Sequence, residues 1–168
     1  RQKFGVVAIQ SQAGAENAIG GIAQAYADNI PILVLPGGVF LNQLSVKPNF
    51  SAVQNYQHVT KKVEAIYRPE DVGAATRRAI HALKNGPPGP VVLELTADVC
   101  DAQIPEASLN YQSPSVHFSQ PSQGEIDQAV EALLNAENPV IWAGQGVLQA
   151  RASAELTELA ELSGTAVF

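Results

Sequence analysis

The chain has 168 residues, a length typical of one domain or of one domain with part of another. It carries 10 Lys and Arg against 16 Asp and Glu, which gives a formal net charge of −6. This balance argues against binding to nucleic acid or to an anionic membrane, because both need a basic face. The hydrophobic fraction of 46% supports a packed core, yet no apolar run reaches the roughly 18 residues of a membrane-spanning helix.

A single cysteine, Cys100, excludes an intramolecular disulfide and a cysteine-based zinc cluster, so we expect a cytoplasmic protein. The chain starts with Arg1 and contains no Met. Apolar segments begin almost at the first residue and run to Phe168. We therefore expect a fragment of a longer protein.

The first third of the chain alternates short apolar runs with helical periodicity. Residues 5–9 predict a buried strand, and a polar turn follows over residues 10–14. Apolar residues at helical spacing predict a helix over 15–27, and residues 32–35 predict a second buried strand. The stretch 39–57 has no clear period, which predicts a long loop with a short helix.

The middle of the chain repeats this alternation and then changes composition. Residues 59–67 predict a strand, and Pro69, followed by two acidic residues, predicts the start of a helix that ends near Asn85. Residues 90–95 predict another buried strand. The Ser-, Pro- and Gln-rich stretch 97–121 predicts an interdomain linker.

The last part of the chain predicts further alternating elements. Ser122 and Glu125 predict a capping box that opens an amphipathic helix. Residues 140–143 predict a strand, and residues 150–162 predict one last helix that Gly164 ends. Strands that alternate with helices predict an α/β fold with a parallel sheet and helices on both faces. In such sheets ligands bind at the carboxyl ends of the strands.

Several conspicuous residues are interpreted as structural. Cys100 is expected to be a small apolar filler, and Trp142 is expected to pack inside its buried strand. The Gly-Gln-Gly stretch 144–146 is expected to be a structural turn, with a nucleotide contact in the central domain as the alternative. His81 and His117 lack the spacing of metal ligands, so no metal site is predicted within this chain.

Residues 5–35 read GVVAIQSQAGAENAIGGIAQAYADNIPILVL. This segment resembles the N-terminal, pyrimidine-binding domain of thiamine-diphosphate enzymes of the acetolactate synthase and benzoylformate decarboxylase type. Synthases carry G-V-x-x-x-T-S-G-P-G-A-T-N and then G-I-A-D-A-Y-x-D-S-x-P, whereas decarboxylases read H-S-A-A-G-T-G-N-A at the same turn. The positions that match the synthase pattern are Ser11, Gly14, Ala15, Asn17, Gly21, Ile22, Ala23, Ala25, Tyr26, Asp28 and Pro31.

The resemblance continues through residues 59–61 and through 79–99, where relatives show G-R-P-G-P-V-x-x-x-x-P-x-D-V. Residues 138–168 resemble the start of the family's central domain. A thiamine-diphosphate-binding fold, followed by the start of a second, Rossmann-like α/β domain, is therefore implied. The implied division is a pyrimidine-binding part, a linker and a central domain, at residues 1–100, 101–121 and 122–168.

The resemblance implies a carboligase or decarboxylase that acts on 2-keto acids and uses thiamine diphosphate. The cofactor lies between the pyrimidine domain of one subunit and the diphosphate domain of another, which implies a homodimer or homotetramer. The activating glutamate precedes the first strand in the family, and the Mg²⁺-binding motif lies further downstream. We therefore expect both outside this chain, with the remaining domains of the parent protein as partners, and we expect the fragment alone to be inactive.

By resemblance, Gln12, Ala13, Gly14 and Asn17 form the cofactor-binding turn. Gln12 and Ala13 replace the synthase Gly-Pro, which predicts a different loop backbone. Gln10 stands where decarboxylases have a catalytic histidine and synthases have threonine. A neutral amide cannot act as a general base, so Gln10 is expected to orient the substrate, with a solvent-facing loop residue as the alternative.

Other positions bear on substrate and cofactor. His58 is the histidine best suited to substrate contact, with a loop or interface role as the alternative. The Phe-Gln-Glu substrate motif of synthases falls on residues 47–49, which read Lys-Pro-Asn, so acetolactate specificity does not follow. Flavin-binding synthases use the arginine of G-R-P-G-P, and Pro87 replaces it here, which argues against FAD.

A second interpretation is a non-catalytic α/β nucleotide-binding or regulatory module. A glutamate about 25–40 residues before Gly5, one βα unit upstream, would favour the enzyme. A dinucleotide-binding Rossmann domain is set aside, because no G-x-G-x-x-G follows the first strand.

Overall fold

The computed structural model describes residues 3–104, 106, 111–117 and 119–168. The chain forms two compact units, which span Phe4–Phe118 and Ser119–Phe168. The predicted boundaries at residues 100 and 121 stay a prediction, and part of the predicted linker lies outside the described residues. Within the described ranges, no helix combines the length and the apolar character needed to cross a bilayer.

Within residues 3–104 the first unit builds a parallel sheet of four strands in the order β1-β2-β4-β3. The strands are β1 (Gly5–Ile9), β2 (Ile32–Pro36), β3 (Lys62–Ile66) and β4 (Val91–Leu95). The helices are α1 (Ala13–Ala27), α2 (Ala52–Tyr56), α3 (Val72–Lys84) and α4 (Ala97–Asp101), with 3₁₀ turns at Leu41–Gln43 and Pro69–Asp71. The predicted α/β class is confirmed, although the strand predicted over 59–67 is confined to β3.

Helices cover both faces of this sheet because the side chains of its central strands alternate between them. One face packs against α3, and its buried residues are Leu33, Ile66, Ala75, Ala79, Leu83, Val91 and Leu93. The other face packs against α1 and α2, and its buried residues are Ala15, Ile22, Val34, Ala52, Tyr56 and Val92. The prediction of helices on both faces is therefore confirmed.

The prediction that residues 5–9 form a buried strand is wrong. They form β1, but β1 lies at the edge of the sheet, and within the described residues it pairs with β2 alone. Val6 is 60% exposed and Val7 is 41% exposed. An apolar run predicts a strand that can be buried, whereas the position of that strand in the sheet decides whether anything covers it.

The carboxyl end of α3 is closed by side chains from distant parts of the unit. The ammonium of Lys61 donates to the carbonyls of Ala82 and Asn85, which complements the negative end of the helix dipole. Burial lowers the pKa of Lys61. The Asn85 side chain donates to the Ser115 carbonyl at 3.0 Å and accepts from the His117 N–H at 2.7 Å. Part of the predicted linker thus lies along the end of α3, and its first residues form α4.

The second unit contains α5 (Gln123–Leu134), β5 (Val140–Ile141), α6 (Gln145–Ala150), α7 (Ser153–Ser163) and β6 (Ala166–Val167). Strands β5 and β6 pair in parallel. The capping box of Ser122 and Glu125 is present, and Gly164 ends α7 in the left-handed conformation with φ 63°. Both caps are confirmed.

The helix predicted over 150–162 is confirmed as α7, which begins at Ser153 because Arg151, in a left-handed conformation with φ 59°, ends α6 just before it. Three local predictions are wrong. The stretch 144–146 starts α6 instead of forming a simple turn. Trp142 follows β5 and is 91% exposed, so it does not pack inside a strand of the described unit. Cys100 is exposed on α4 and does not fill a cavity.

Candidate functional site

The carboxyl ends of the parallel strands β1, β2 and β4 lie in a row, and this row of strand ends forms one edge of the sheet. The turn that follows β1 at this edge is the candidate site. The chain that leaves β2 follows this edge, because Gly37 N–H donates to the Ile9 carbonyl at 3.0 Å and Gly38 N–H donates to the Leu95 carbonyl at 2.7 Å. Gln10 is exposed at the start of the turn. Parallel α/β sheets bind their ligands at this edge.

Gln12 has φ 57° and ψ −114°, a conformation that residues other than glycine rarely adopt. Its side-chain amide is hydrogen-bonded at both ends. Nε2 donates to Asn49 Oδ1 at 2.8 Å, and Oε1 accepts from Phe50 N–H at 2.9 Å. Asn49 Nδ2 in turn donates to the Leu44 carbonyl at 3.2 Å. The turn and residues 49–50 therefore fix each other, and these bonds use one donor and one acceptor position of the Gln12 amide.

The beginning of α1 presents polar groups to solvent. Ala13 and Asn17 are exposed, and the Asn17 carboxamide has no hydrogen-bond partner among the described residues. The first N–H groups of a helix have no acceptor within the helix, so they can donate to a ligand. A Cβ at Gly14 would lie 2.8 Å from Gln10 Cβ, which shows that the turn itself requires glycine at this position.

A cleft of about 350 Å³ lies between this turn and the segment that precedes and forms α2. The residues that line it are Gln12, Glu16, Pro48, Asn49, Phe50 and Asn55. This lining contains one carboxylate and, within the part of the chain that the structure describes, no Lys or Arg. Such a cleft suits a neutral polar or positively charged group, because the carboxylate would repel an anion.

Glu94 is a buried carboxylate on β4 that is 5% exposed, and it is not among the site residues predicted from the sequence. Its Oε2 accepts from Val53 N–H at 3.0 Å, at the start of α2. Burial raises the pKa of Glu94, while hydrogen bonds from the Val53 and Ala52 amides act in the opposite direction. A Cβ at Gly38 would lie 2.9 Å from Glu94 Oε1. The sequence does contain a signal, since a glutamate inside the apolar run PVVLEL needs a partner when that strand is buried.

Tyr56 fixes α2 against α1. Its side chain is fully buried, and its hydroxyl donates to the Ala15 carbonyl in the first turn of α1. Its ring packs edge-on against Phe50, with 6.0 Å between the ring centroids. Burial, followed by the charge of Glu94, raises the pKa of Tyr56, so the hydroxyl stays protonated and continues to donate.

The long loop with a short helix predicted over 39–57 is confirmed, and side chains from other elements hold it in place. Leu41 N–H donates to Asp98 Oδ2 at 2.7 Å, across 57 positions of sequence. The side chains from other elements that hold the loop are Gln12, Glu94 and Asp98, and Tyr56 of the loop's own helix donates to the Ala15 carbonyl of α1. The loop therefore forms an ordered wall of the cleft.

The structure gathers four of the six predicted site residues in the turn and the start of α1, namely Gln12, Ala13, Gly14 and Asn17. Of the six, only Gln12 is among the described residues that line the cleft. Gln10 and His58 are exposed and lie outside that lining, as do Ala13, Gly14 and Asn17. His58 Nε2 lies 3.3 Å from Gln57 Nε2. No group of three or more His, Cys, Asp or Glu among the described residues is arranged to hold a metal ion. The roles of the six residues stay predictions.

Two family models match the chain. Residues 1–66 match the N-terminal TPP binding domain of thiamine pyrophosphate enzymes, and residues 126–168 match the central domain of the same enzymes. The chain belongs to the thiamine pyrophosphate enzyme family. The resemblance found from the sequence is thereby confirmed, and the turn after β1 falls inside the N-terminal match of this family.

Curated relatives align along most of the chain. The acetolactate synthase large subunit of Buchnera aphidicola subsp. Schizaphis graminum is 32% identical over 169 residues, which cover 95% of this chain and 29% of that protein. The acetolactate synthase isozyme 3 large subunit of Escherichia coli (strain K12) is 32% identical over 168 residues, with the same two coverages of 95% and 29%. Glyoxylate carboligase of Escherichia coli O157:H7 is 36% identical over 160 residues, which cover 89% of this chain and 26% of that protein. The chain spans less than a third of the length of these relatives.

Proposed function

We propose that this chain supplies the pyrimidine side of a thiamine diphosphate site in an acetolactate-synthase-like carboligase or decarboxylase that acts on 2-keto acids. The match of residues 1–66 to the TPP binding domain carries the proposal, and its turn lies at the ligand-binding edge of a parallel sheet. Relatives named acetolactate synthase and glyoxylate carboligase support the reaction class.

The chemistry of the turn fits the pyrimidine end of the cofactor. The backbone amides of Ala13 and Gly14 and the carboxamide of Asn17 can hydrogen-bond to the ring nitrogens and the amino group of a pyrimidine. The described lining of the cleft has no Lys or Arg, which suits a ring better than a diphosphate. When bound, the cofactor supplies an electron sink for reactions at the carbonyl of a 2-keto acid.

The remaining assignments extend this proposal. Gln10, at the end of β1, orients the keto acid by hydrogen bonding, and His58 is a second substrate contact. Mg²⁺ and the diphosphate are held by a domain other than those in this chain. The parent protein is a cytoplasmic homodimer or homotetramer. FAD is not part of the proposal, because Pro87 has neither the charge nor the donors of the arginine that it replaces.

Calorimetric titration of the intact protein with thiamine diphosphate and Mg²⁺ tests the cofactor site. Asn17→Ala should weaken binding about 10-fold, the equivalent of one hydrogen bond. Asn135→Ala, which removes an exposed asparagine from the second unit, should leave binding unchanged.

Incubation with pyruvate or glyoxylate then tests the reaction, and we expect CO₂ release with a carboligated or decarboxylated product. Cofactor binding without turnover of any 2-keto acid would favour the regulatory module. Absence of cofactor binding would contradict the proposed site.

A further inference from the structure

We infer that Gln12 is a positioning residue whose side-chain amide latches residues 49–50 to the cofactor turn and thereby sets the wall of the cleft. The inference rests on the proposed function only in assuming that the turn binds the cofactor. The latch itself belongs to the folded chain and can be measured without any ligand.

The backbone of Gln12 gives the first reason. At φ 57° and ψ −114° the residue occupies a region that favours glycine, so its side chain adds strain to the turn. Such strain persists when surrounding interactions over-determine the conformation. The two hydrogen bonds of the Gln12 amide provide those interactions, and they reach 37 and 38 positions along the chain.

The chemistry of the amide gives the second reason. The side chain at this position must donate to Asn49 Oδ1 and also accept from Phe50 N–H. An amide can do both, whereas a carboxylate can only accept and a methyl group can do neither. A glutamate at this position would retain the acceptor for Phe50 N–H and lose the donor. The residue type is therefore matched to both partners.

A second tie makes the wall of the cleft continuous. Phe50 packs against the ring of Tyr56, whose hydroxyl donates to the Ala15 carbonyl. Residues 49–56 are thus joined to the start of α1 near both ends, and Glu16, which follows Ala15, lines the cleft. Loss of the Gln12 bonds releases one end of this wall and leaves the other end attached.

Amide hydrogen exchange in the intact protein, without cofactor, tests the latch. Gln12→Ala should speed exchange of the Phe50 amide about 10-fold, which corresponds to about 1.4 kcal/mol. Gln12→Glu should restore most of the protection, because it keeps the acceptor oxygen. Gln54→Ala removes an exposed glutamine of α2 whose side chain has no described hydrogen bond, and it should change nothing. Unchanged Phe50 exchange in Gln12→Ala would overturn the latch.

Thiamine diphosphate affinity then separates the latch from backbone strain. Gln12→Gly relieves the strain without restoring the bonds, so it should bind the cofactor about 10-fold more weakly than the wild type. Wild-type affinity in Gln12→Gly would overturn the coupling, because only the backbone conformation would then matter.

If Gln12→Ala does not fold, Asn49→Ala removes the bond to Nε2 and should raise exchange at Phe50 by a smaller factor. Absence of cofactor binding by the wild type would refute the proposed function, whereas the exchange data would still decide the latch.

Discussion

Replacing Glu94 tests whether one buried carboxylate holds the wall of the cleft on the sheet. Glu94→Gln keeps the shape and one acceptor oxygen, whereas Glu94→Ala removes both oxygens. The carboxylate is 5% exposed and accepts hydrogen bonds from the amides that begin α2. The two variants therefore separate the loss of charge from the loss of acceptors.

The structure sets the expected size of each effect. In Glu94→Ala the N–H groups of Ala52 and Val53 lose their acceptor, and an unsatisfied buried donor costs about 1–3 kcal/mol. Removing a buried charge offsets part of this cost. We expect the free energy of unfolding at neutral pH to fall by about 1–3 kcal/mol in Glu94→Ala and to change by less than about 1 kcal/mol in Glu94→Gln.

The pH dependence has a definite sign. Burial raises the pKa of Glu94 above its ordinary value of 4.5, so the folded protein holds this proton more tightly than the unfolded chain does. The contribution of Glu94 to stability is therefore complete below pH 4.5 and is lost as the pH rises through the raised pKa. Relative to the wild type, Glu94→Gln should gain stability across this interval.

Urea denaturation followed by circular dichroism, at a series of pH values, measures both effects. Glu131→Gln, which alters an exposed glutamate on α5, controls for the change in net charge. Unfolding of Glu94→Ala at the wild-type urea concentration would show that the Glu94 carboxylate does not hold the wall. A stability difference between the wild type and Glu94→Gln that does not depend on pH would contradict the raised pKa of Glu94.

Three further predictions concern the site and the assembly. Gln10→Ala should lower kcat/KM for the 2-keto acid about 10-fold to 100-fold, because the amide orients the substrate. Thermal stability should not change, because the Gln10 side chain is exposed and packs in no core. Full activity with every accepted keto acid would make Gln10 an ordinary loop residue. A Cβ added at Gly20 would meet nothing within 4 Å in this chain, so Gly20→Ala should stabilise α1 by about 0.5–1 kcal/mol in thermal melts. If that face of α1 packs against a second subunit, sedimentation of the variant should instead show weakened assembly. The intact protein should purify colourless because Pro87 replaces the flavin-binding arginine, and a flavin absorbance band that survives gel filtration would refute this.

Elements governed by local chemistry could be predicted from the sequence. β-branched runs and helical periods identify the strands and helices of the first unit, and their alternation is enough to predict a parallel sheet. The capping box of Ser122 and Glu125 and the terminal Gly164 are likewise determined by groups within a few residues of one another. These predictions do not depend on knowing which distant segments meet.

The features that were missed depend on distant partners. Val6 is exposed because β1 lies at the edge among the described strands, a position that its own residues do not determine. The order in the loop 39–57 comes from hydrogen bonds that reach 38 to 57 positions along the chain, as for Phe50 and Leu41. Glu94 carries a local signal in its apolar strand, but its partner Val53 lies 41 positions away.

Two departures from the acetolactate synthase pattern meet at one contact. Gln12 stands at the first glycine of the synthase G-P-G turn, and Asn49 stands where the spacing would place the glutamate of Phe-Gln-Glu. The two side chains hydrogen-bond to each other at 2.8 Å in the wall of the cleft. Because the Gln12 side chain also accepts from Phe50 N–H, the pair is one connected set of hydrogen bonds between the turn and residues 49–50. This part of the cleft wall is therefore held by the two residues that differ from the synthase pattern, and the wall does not need either synthase motif to be held in place.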